Sequence, residues 1–469
     1  MAALVMAGGP LSRRRLLASF GLASVSAAVA AAGCSVVGLG GRARTSPSPA
    51  NPVVELLIGF PAVTGTVHGT EVPGLIDNAL EPFVRQHPGV RIRQASYPGQ
   101  ATPQMLVALT GGKGPDVLSN SVMVPFVQNG FLLDLGPYIR KDNVDLSLFA
   151  TGMLDYFASA AAVSPTNPNG TYGLPMNLDQ RAYVVNLGVL DQLGLAHPDA
   201  GWTYQQYGQL FASATANGTA STPKRYGGEL IFRGYDFSRD MPSPAEFHAW
   251  GGGYVDPADR RKCALTSIGS ISYGEWAINL YQQGTVMLGA TGHGKTNGAF
   301  GAGTLVVHTV YTQEIGLTTS WRHLNWDFFP MPVGPVAQTV LCSTNFYAVN
   351  SATAQPELSW ELLRWLTVEP DFGRFLMQTL LYPPVRLDQW EQWRAIVTTV
   401  APSLRSKDLG VFVHQAAADR LWAGTVFPYP DAAVYPILAD ASQQLLQGKV
   451  SVARGFASIA RQIDALATL

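Results

Sequence analysis

The chain has 469 residues, with 31 basic and 32 acidic side chains that leave a net charge of −1. A charge this close to zero, with no long basic run, excludes the electrostatic footprint of a nucleic-acid binder or of a protein drawn to an anionic membrane face. The length exceeds what one ordinary core covers, so two packed halves are the default expectation; 47% apolar residues fit a globular protein, and 13% charged residues is about half the usual share.

The first 33 residues read as an export signal. Ser12-Arg13-Arg14-Arg15-Leu16-Leu17 is a positive start, an uncharged Ala-rich stretch runs from Leu16 to Ala32, and small residues close it at Gly33. That order is a cleavable signal peptide, and an arginine pair before two leucines fits twin-arginine export. Cys34, after Ala31-Ala32-Gly33, resembles a bacterial lipobox, in which the thiol is lipidated and becomes the new N-terminus. The stretch is short and weakly apolar for a membrane span. Residues 34–52, with Gly38, Gly40, Gly41 and Ser46-Pro47-Ser48-Pro49, read as a flexible tether. Acyl chains on Cys34 hold firmly, because each buried CH₂ contributes about 0.8 kcal/mol. No later stretch reaches the roughly 18 uncharged apolar residues of a spanning helix.

The body opens on a strand, Val53–Ile58. Leu75, Ile76, Ala79, Leu80, Phe83 and Val84 then recur at helical spacing, with Pro82 implying a kink or a start there. Gly89-Val90-Arg91-Ile92 is a second strand, a helix is expected from about Pro103, and Asp116-Val117-Leu118 is a third strand. Strand, helix, strand, helix, strand predicts a parallel sheet with helices on its faces. At the far end Ile437, Leu438, Ala441, Leu445 and Leu446, then Phe456, Ile459, Ala460, Ile463, Leu466 and Ala467, form two helical stripes assigned to the core. Cys263 and Cys342 can pair in an exported protein, but spacing does not decide it, and two buried thiols are the preferred reading.

Four stretches carry a resemblance in a fixed order. They are Gly111-Gly112-Lys113-Gly114-Pro115-Asp116-Val117 leading to Asn129-Gly130-Phe131-Leu132-Leu133-Asp134-Leu135; Gly170-Thr171-Tyr172-Gly173-Leu174-Pro175 with Tyr183-Val184-Val185-Asn186 and Gly201-Trp202-Thr203; Trp250-Gly251-Gly252-Gly253; and the end from Leu445 to Ile463 around Gly448. None is specific alone, but the ordered set behind a lipoprotein signal resembles the extracellular solute-binding proteins of carbohydrate ABC importers, the broad family of maltose-binding protein. The resemblance implies a periplasmic-binding-protein-like α/β fold: two α/β lobes with mixed sheets, joined by several crossover strands that act as a hinge. Carried over, lobe I spans 53–178 plus 326–382 and lobe II 179–325 plus 383–469, with crossings near Asn177–Arg181, Asn325–Pro332 and Tyr382–Arg386. It also implies a monomer that captures a sugar or related polyhydroxylated solute in the cleft between lobes. The protein would then deliver that solute to permease subunits at the outer face of the cytoplasmic membrane, with no enzymatic activity, cofactor, metal or nucleic acid. A neutral solute suits the low charge, with affinity on the order of micromolar, about −8 kcal/mol.

A sugar site needs aromatic platforms together with carboxylates and amides. Asp179 stands where relatives place an acidic ligand contact; a hinge residue or helix cap is the alternative. Asn120 ends the third strand, where open α/β sheets bind ligands, with a turn asparagine as the alternative. Trp250 is expected as a stacking platform from the second lobe, against a core aromatic. Tyr311 and Tyr435 match aromatic positions of relatives, and His68, Glu71, Asn345 and Arg386 complete the candidates. Trp202 is assigned to packing a helix start.

Two other classes are weighed. Gly289-Ala290-Thr291-Gly292-His293-Gly294-Lys295-Thr296 satisfies the phosphate-loop pattern, yet Asn297–Gly303 is poor helix material, and a surface loop is expected. No G-x-S-x-G elbow or H-E-x-x-H pair occurs, and no carboxylate pair stands out as a glycosidase acid and nucleophile. A secreted carbohydrate-active hydrolase and a structural envelope lipoprotein remain the alternatives.

Overall fold

The computed structural model describes residues 54–61, 66–67, 70–71, 75–97, 101–120, 123–230, 244–288, 294–424, 427, 429 and 431–466. These lie in one compact unit that starts at Asn51. The signal peptide, Cys34, the tether and His68 lie outside the described residues.

Two sheets organise the chain. Their strands are β1 (Val54–Pro61), β2 (Val90–Tyr97), β3 (Val117–Asn120), β4 (Leu174–Pro175), β5 (Asp179–Asn186), β6 (Val307–Tyr311), β7 (Trp326–Phe329), β8 (Val340–Ser343), β9 (Phe346–Val349) and β10 (Leu421–Trp422). The first sheet has the order β2-β1-β3-β9-β4. Its β1, β2 and β3 are parallel, as the alternation of strands and helices predicts, while β9 runs antiparallel to β3 and β4. The helix Leu75–Gln86 follows β1 and buries Ala79, Leu80 and Phe83, a spacing of three and four that faces one side; Pro82 sits inside it without ending it. Leu56, Ile58, Val117 and Val349 meet this face and the helix Pro356–Thr367 in one core.

The second sheet has the order β6-β5-β8-β10, with β7 also antiparallel to β5. All eight residues of β5 are buried, which is why Tyr183-Val184-Val185 reads as a continuous apolar run. The helices Ile268–Gln282, Asp431–Leu446 and Val452–Ala465 cover this half. Phe456, Ile459, Ala460 and Ile463 are buried as the stripe predicts.

The chain passes between the sheets twice within hydrogen-bonding reach of itself: from β4 to β5 through Met176–Leu178, and from β8 to β9 through Thr344–Asn345. The first passage overlaps the expected Asn177–Arg181 at Asn177 and Leu178, while Asp179–Arg181 already belong to β5. The second corrects the expectation of Asn325–Pro332. That segment holds β7, which pairs with β5, and β8 also pairs with β5 before the chain leaves. Apolar alternation alone does not tell which sheet a short strand joins.

The expected surface loop around Lys295 is also corrected. A helix spans Gly294–Gly301, because burying Phe300 against Trp321, with centroids 4.6 Å apart, outweighs its glycine content. The preceding strand Val286–Leu288 pairs with Gly228–Leu230 in a sheet of two strands. It is not the central parallel strand that a phosphate loop rests on.

Candidate functional site

The two passages lie side by side and are stitched together. Met176 N–H donates to Asn345 O at 2.8 Å, Asn345 N–H donates to Asn177 Oδ1 at 3.2 Å, and the N–H groups of Met176 and Asn177 reach Thr344 Oγ1 at 3.2 and 3.4 Å. The Thr344 hydroxyl donates to Asn345 O. Asn345, a candidate contact, thus uses its backbone to join the passages. Asn120 is level with Phe346 at the end of β3, 2% exposed, and its Oδ1 accepts from Thr102 Oγ1 at 3.2 Å.

Asp179 begins β5 and is wholly buried. Its Oδ1 accepts from Thr312 Oγ1 at 2.8 Å and from Gln313 N–H at 2.9 Å, capping the 3₁₀ turn Thr312–Trp321, while Oδ2 has no hydrogen-bond partner among the described residues. Burial pushes its pKa up to about 7, against the two hydrogen bonds that favour the carboxylate. The geometry is that of a hinge residue that caps a turn. Two residues on, Arg181 is also wholly buried. Its Nη1 donates to Glu246 Oε1 at 2.6 Å and its Nη2 to the Tyr311 hydroxyl at 2.7 Å. Burial opposes its charge, yet Tyr311 and Glu246 hold it more basic than a free arginine. Tyr311, 2% exposed at the end of β6, therefore anchors Arg181.

Trp250 lies in an aromatic cluster. Its ring meets Tyr204, Tyr273 and Trp276 at centroid distances of 5.9, 5.9 and 6.0 Å. The expected platform thus has the core role, because Tyr204 from one helix and Tyr273 and Trp276 from another close around it, a meeting the sequence does not show. Arg386 grips Asp388 through Nε and Nη2 at 3.0 and 2.6 Å and donates from Nη1 to Val368 O at 2.8 Å, which locks its own loop. Tyr435 is half-buried in its helix, and Glu71 lies in a two-residue strand, Thr70–Glu71. Trp202 meets Tyr207 edge-on, beside the Thr203 capping box, as assigned.

A cleft of about 690 Å³ opens on the second half. It is lined by Trp422 of β10, His248, Pro244, the Gly251–Gly253 turn, Asp256 and Arg260. The His248 ring stacks on Trp422 at 4.2 Å with planes 17° apart, and its Nδ1 shares a hydrogen bond with Thr339 Oγ1 at 3.1 Å. Burial lowers the His248 pKa, so the ring is neutral near pH 7. An indole, a neutral imidazole, a guanidinium and a carboxylate around one cavity supply both an apolar face and donors and acceptors. Sequence reading missed Trp422 and His248. Leu421-Trp422 reads only as a short apolar pair, and β10 joins the sheet through partners some 80 positions earlier in the chain. Cys263 lines the same cleft; it and Cys342 are free and buried, so the unpaired reading holds.

Several of the residues that carry the family resemblance are scaffold. Asp134 Oδ1 accepts from Gly136 N–H and Thr171 N–H, and its Oδ2 from Asn167 Nδ2, tying the Leu-Asp-Leu turn to the Gly-Thr-Tyr-Gly loop. Gly251 has φ +76°, a left-handed conformation that suits glycine.

Two α/β halves built on mixed sheets, joined by passages that run together, define a two-lobed binding-protein fold. The chain matches the family Bacterial extracellular solute-binding protein over residues 68–370, and it belongs to that family. Solved structures agree at the level of fold. The ABC substrate-binding protein from Listeria monocytogenes in complex with cycloalternan is 14% identical with a TM-score of 0.67, covering 89% of this chain and 100% of that one. The sugar-binding protein MalE from Xanthomonas citri is 16% identical with a TM-score of 0.66, covering 88% and 97%. The cyclic α-maltosyl-1,6-maltose binding protein from Arthrobacter globiformis is 14% identical with a TM-score of 0.65, covering 88% and 99%. Among the described residues no helix is long and apolar enough to cross a membrane.

Proposed function

We propose that the protein binds a sugar or related polyhydroxylated solute and delivers it to the permease of an ABC importer, without chemical change. The observation that carries this reading is the cleft at Trp422, where an aromatic face stands beside Arg260, Asp256 and His248. Sugars offer weakly apolar CH faces and hydroxyls, which such a lining complements. Family membership and the sugar-binding neighbours support the same solute class. The halves, 54–178 with 346–382 and 179–343 with 383–466, close on the solute by turning about the stitched passages and a third passage near Tyr382–Arg386. Cys34 carries the lipid anchor after export, and the protein acts as a monomer.

Thermal unfolding in the presence of individual mono- and oligosaccharides tests this. A binder gains melting temperature with one class and returns it unaltered. Cleaved product would favour a hydrolase instead, and no response to any saccharide would favour a structural envelope role. For the responding sugar, Trp422→Ala should weaken binding at least tenfold, about 1.4 kcal/mol; unchanged affinity would remove this cleft from the site.

A further inference from the structure

Asparagine followed by glycine is a chemically labile pair, because the glycine backbone nitrogen lies within reach of the asparagine side-chain carbonyl carbon and no Cβ hinders its approach. The chain has four such pairs: Asn129-Gly130, Asn169-Gly170, Asn217-Gly218 and Asn297-Gly298. Attack needs a glycine N–H released from hydrogen bonding and an asparagine side chain free to turn onto it. The fold grants both to one pair.

Three pairs are held. Gly130 N–H donates to Val127 O at 3.0 Å, and Asn129 Nδ2 donates to Pro125 O at 2.7 Å. Gly170 N–H donates to Asn167 O at 3.0 Å. Asn297 and Gly298 lie within the helix Gly294–Gly301. Gly298 stands past its first turn, so its N–H belongs to the helical ladder, and Asn297 Oδ1 shares a hydrogen bond with His308 Nε2 at 2.7 Å.

The fourth pair lies in the loop between the helix Tyr204–Ala214 and the strand Gly228–Leu230, with Asn217 and Gly218 both exposed. Among the described residues neither the Asn217 side chain nor the Gly218 N–H has a hydrogen-bond partner. Their neighbours are fixed. Ala216 and Arg225 exchange backbone hydrogen bonds at 3.0 and 2.9 Å, and Thr219 N–H donates to Thr222 O at 2.8 Å. A Cβ at position 218 would lie 2.8 Å from Lys224 N and 2.9 Å from Thr222 O, so this loop demands glycine there. The packing that requires glycine thereby leaves an unhindered nitrogen behind an exposed asparagine.

We propose that Asn217 is a site of spontaneous deamidation, selected by the fold from the four Asn-Gly pairs. The Gly218 nitrogen bonds to Asn217 Cγ, the Cγ–Nδ2 bond breaks, and the amide leaves as ammonia, taking up the proton that the Gly218 nitrogen gives up. Water then opens the cyclic imide at either carbonyl, giving aspartate or isoaspartate. Either product adds a negative charge to the loop. The isoaspartate also inserts a methylene into the backbone between Ala216 and Thr219, the two residues whose hydrogen bonds frame the turn. The proposal is independent of the solute and of any movement between the halves.

Ageing the purified full chain at mildly alkaline pH, with peptide mass spectrometry to locate the amide-to-acid change, tests it. Asn217 should convert about tenfold faster than each of the other three, the factor that about 1.4 kcal/mol in barrier gives. In the urea-unfolded chain all four glycine N–H groups are released, and the four rates should draw together. Native rates that keep the order found in urea, or faster native conversion at Asn129, Asn169 or Asn297, would overturn the proposal. Asn217→Gln, a conservative change at an exposed position, should leave the melting temperature unchanged and remove most of the acidic band that ageing adds on isoelectric focusing. If that band forms at the original rate, the reaction lies elsewhere and the proposal fails. Acid at position 217 with no isoaspartate would overturn it too, since a cyclic imide opens at both carbonyls.

Discussion

Replacing Arg181 with methionine keeps most of the unbranched stem of the side chain and removes a wholly buried charge. Two charge-assisted hydrogen bonds go with it, at 2.6 Å to Glu246 and 2.7 Å to Tyr311. Each such bond contributes about 1.5–3 kcal/mol net. The Glu246 carboxylate, 7% exposed, loses its ion pair with Arg181 in the core, and breaking one side of a buried pair costs about 3–5 kcal/mol. Against a total stability of about 5–15 kcal/mol this is a large fraction. Urea unfolding followed by tryptophan fluorescence reads the loss as a fall in midpoint of about 1 M or more, if the slope is near 3 kcal/mol per molar and unchanged. Arg181→Met with Glu246→Gln should lose less than the sum of the single changes, because the two side chains form one ion pair. A single substitution that costs under about 1 kcal/mol would refute the reasoning, since it would mean that water reaches the pair.

Trp250→Ala should cost about 3 kcal/mol of stability through loss of its aromatic cluster, read by the same unfolding assay; full stability with weakened binding would return Trp250 to the solute site. Asp179 supplies a pH signature. Its folded pKa, about 7, lies above its ordinary value of 3.8, so the folded state holds the proton more tightly. The contribution is complete below pH 4 and is lost as the pH rises through 7, by roughly 4 kcal/mol at most. Asp179→Asn should flatten the difference in stability between pH 5 and pH 8.5, and parallel profiles for the two proteins would contradict the burial of Oδ2. Cys263 and Cys342 should resist a water-soluble disulfide reagent until the protein unfolds, because burial pushes the Cys263 thiol up to about 12 and Cys342 higher; rapid labelling of the native protein would show that one of them is accessible.

The first sheet was legible in the residues because its early strands are consecutive. Strand signals at β1, β2 and β3, separated by helical segments, leave little choice but a parallel sheet with helices on its faces. The terminal stripes were legible for the same reason, since spacings of three and four report one buried face. The family was legible through turns and caps such as Asp134, Gly251 and Thr203, whose chemistry is local.

The candidate site was less legible because its parts are not local. Asp179 and Tyr311 were singled out as solute contacts, and the structure seals both: one caps a 3₁₀ turn and the other anchors Arg181. Their polarity is visible in the sequence, but their burial is decided by what folds over them. Trp422 and His248 face one cleft only because β10 pairs with β8 and the helix Pro244–Ala249 leans on that edge.

By itself the sequence determined which segments alternate, where they turn, and that two cores were needed, since period and turn chemistry act over a few residues. Tertiary structure alone decided which sheet each short strand joined, which charges were buried, and which side chains came to line one cleft. Those outcomes depend on partners tens to hundreds of positions apart, and nothing in a local pattern encodes the distance between them.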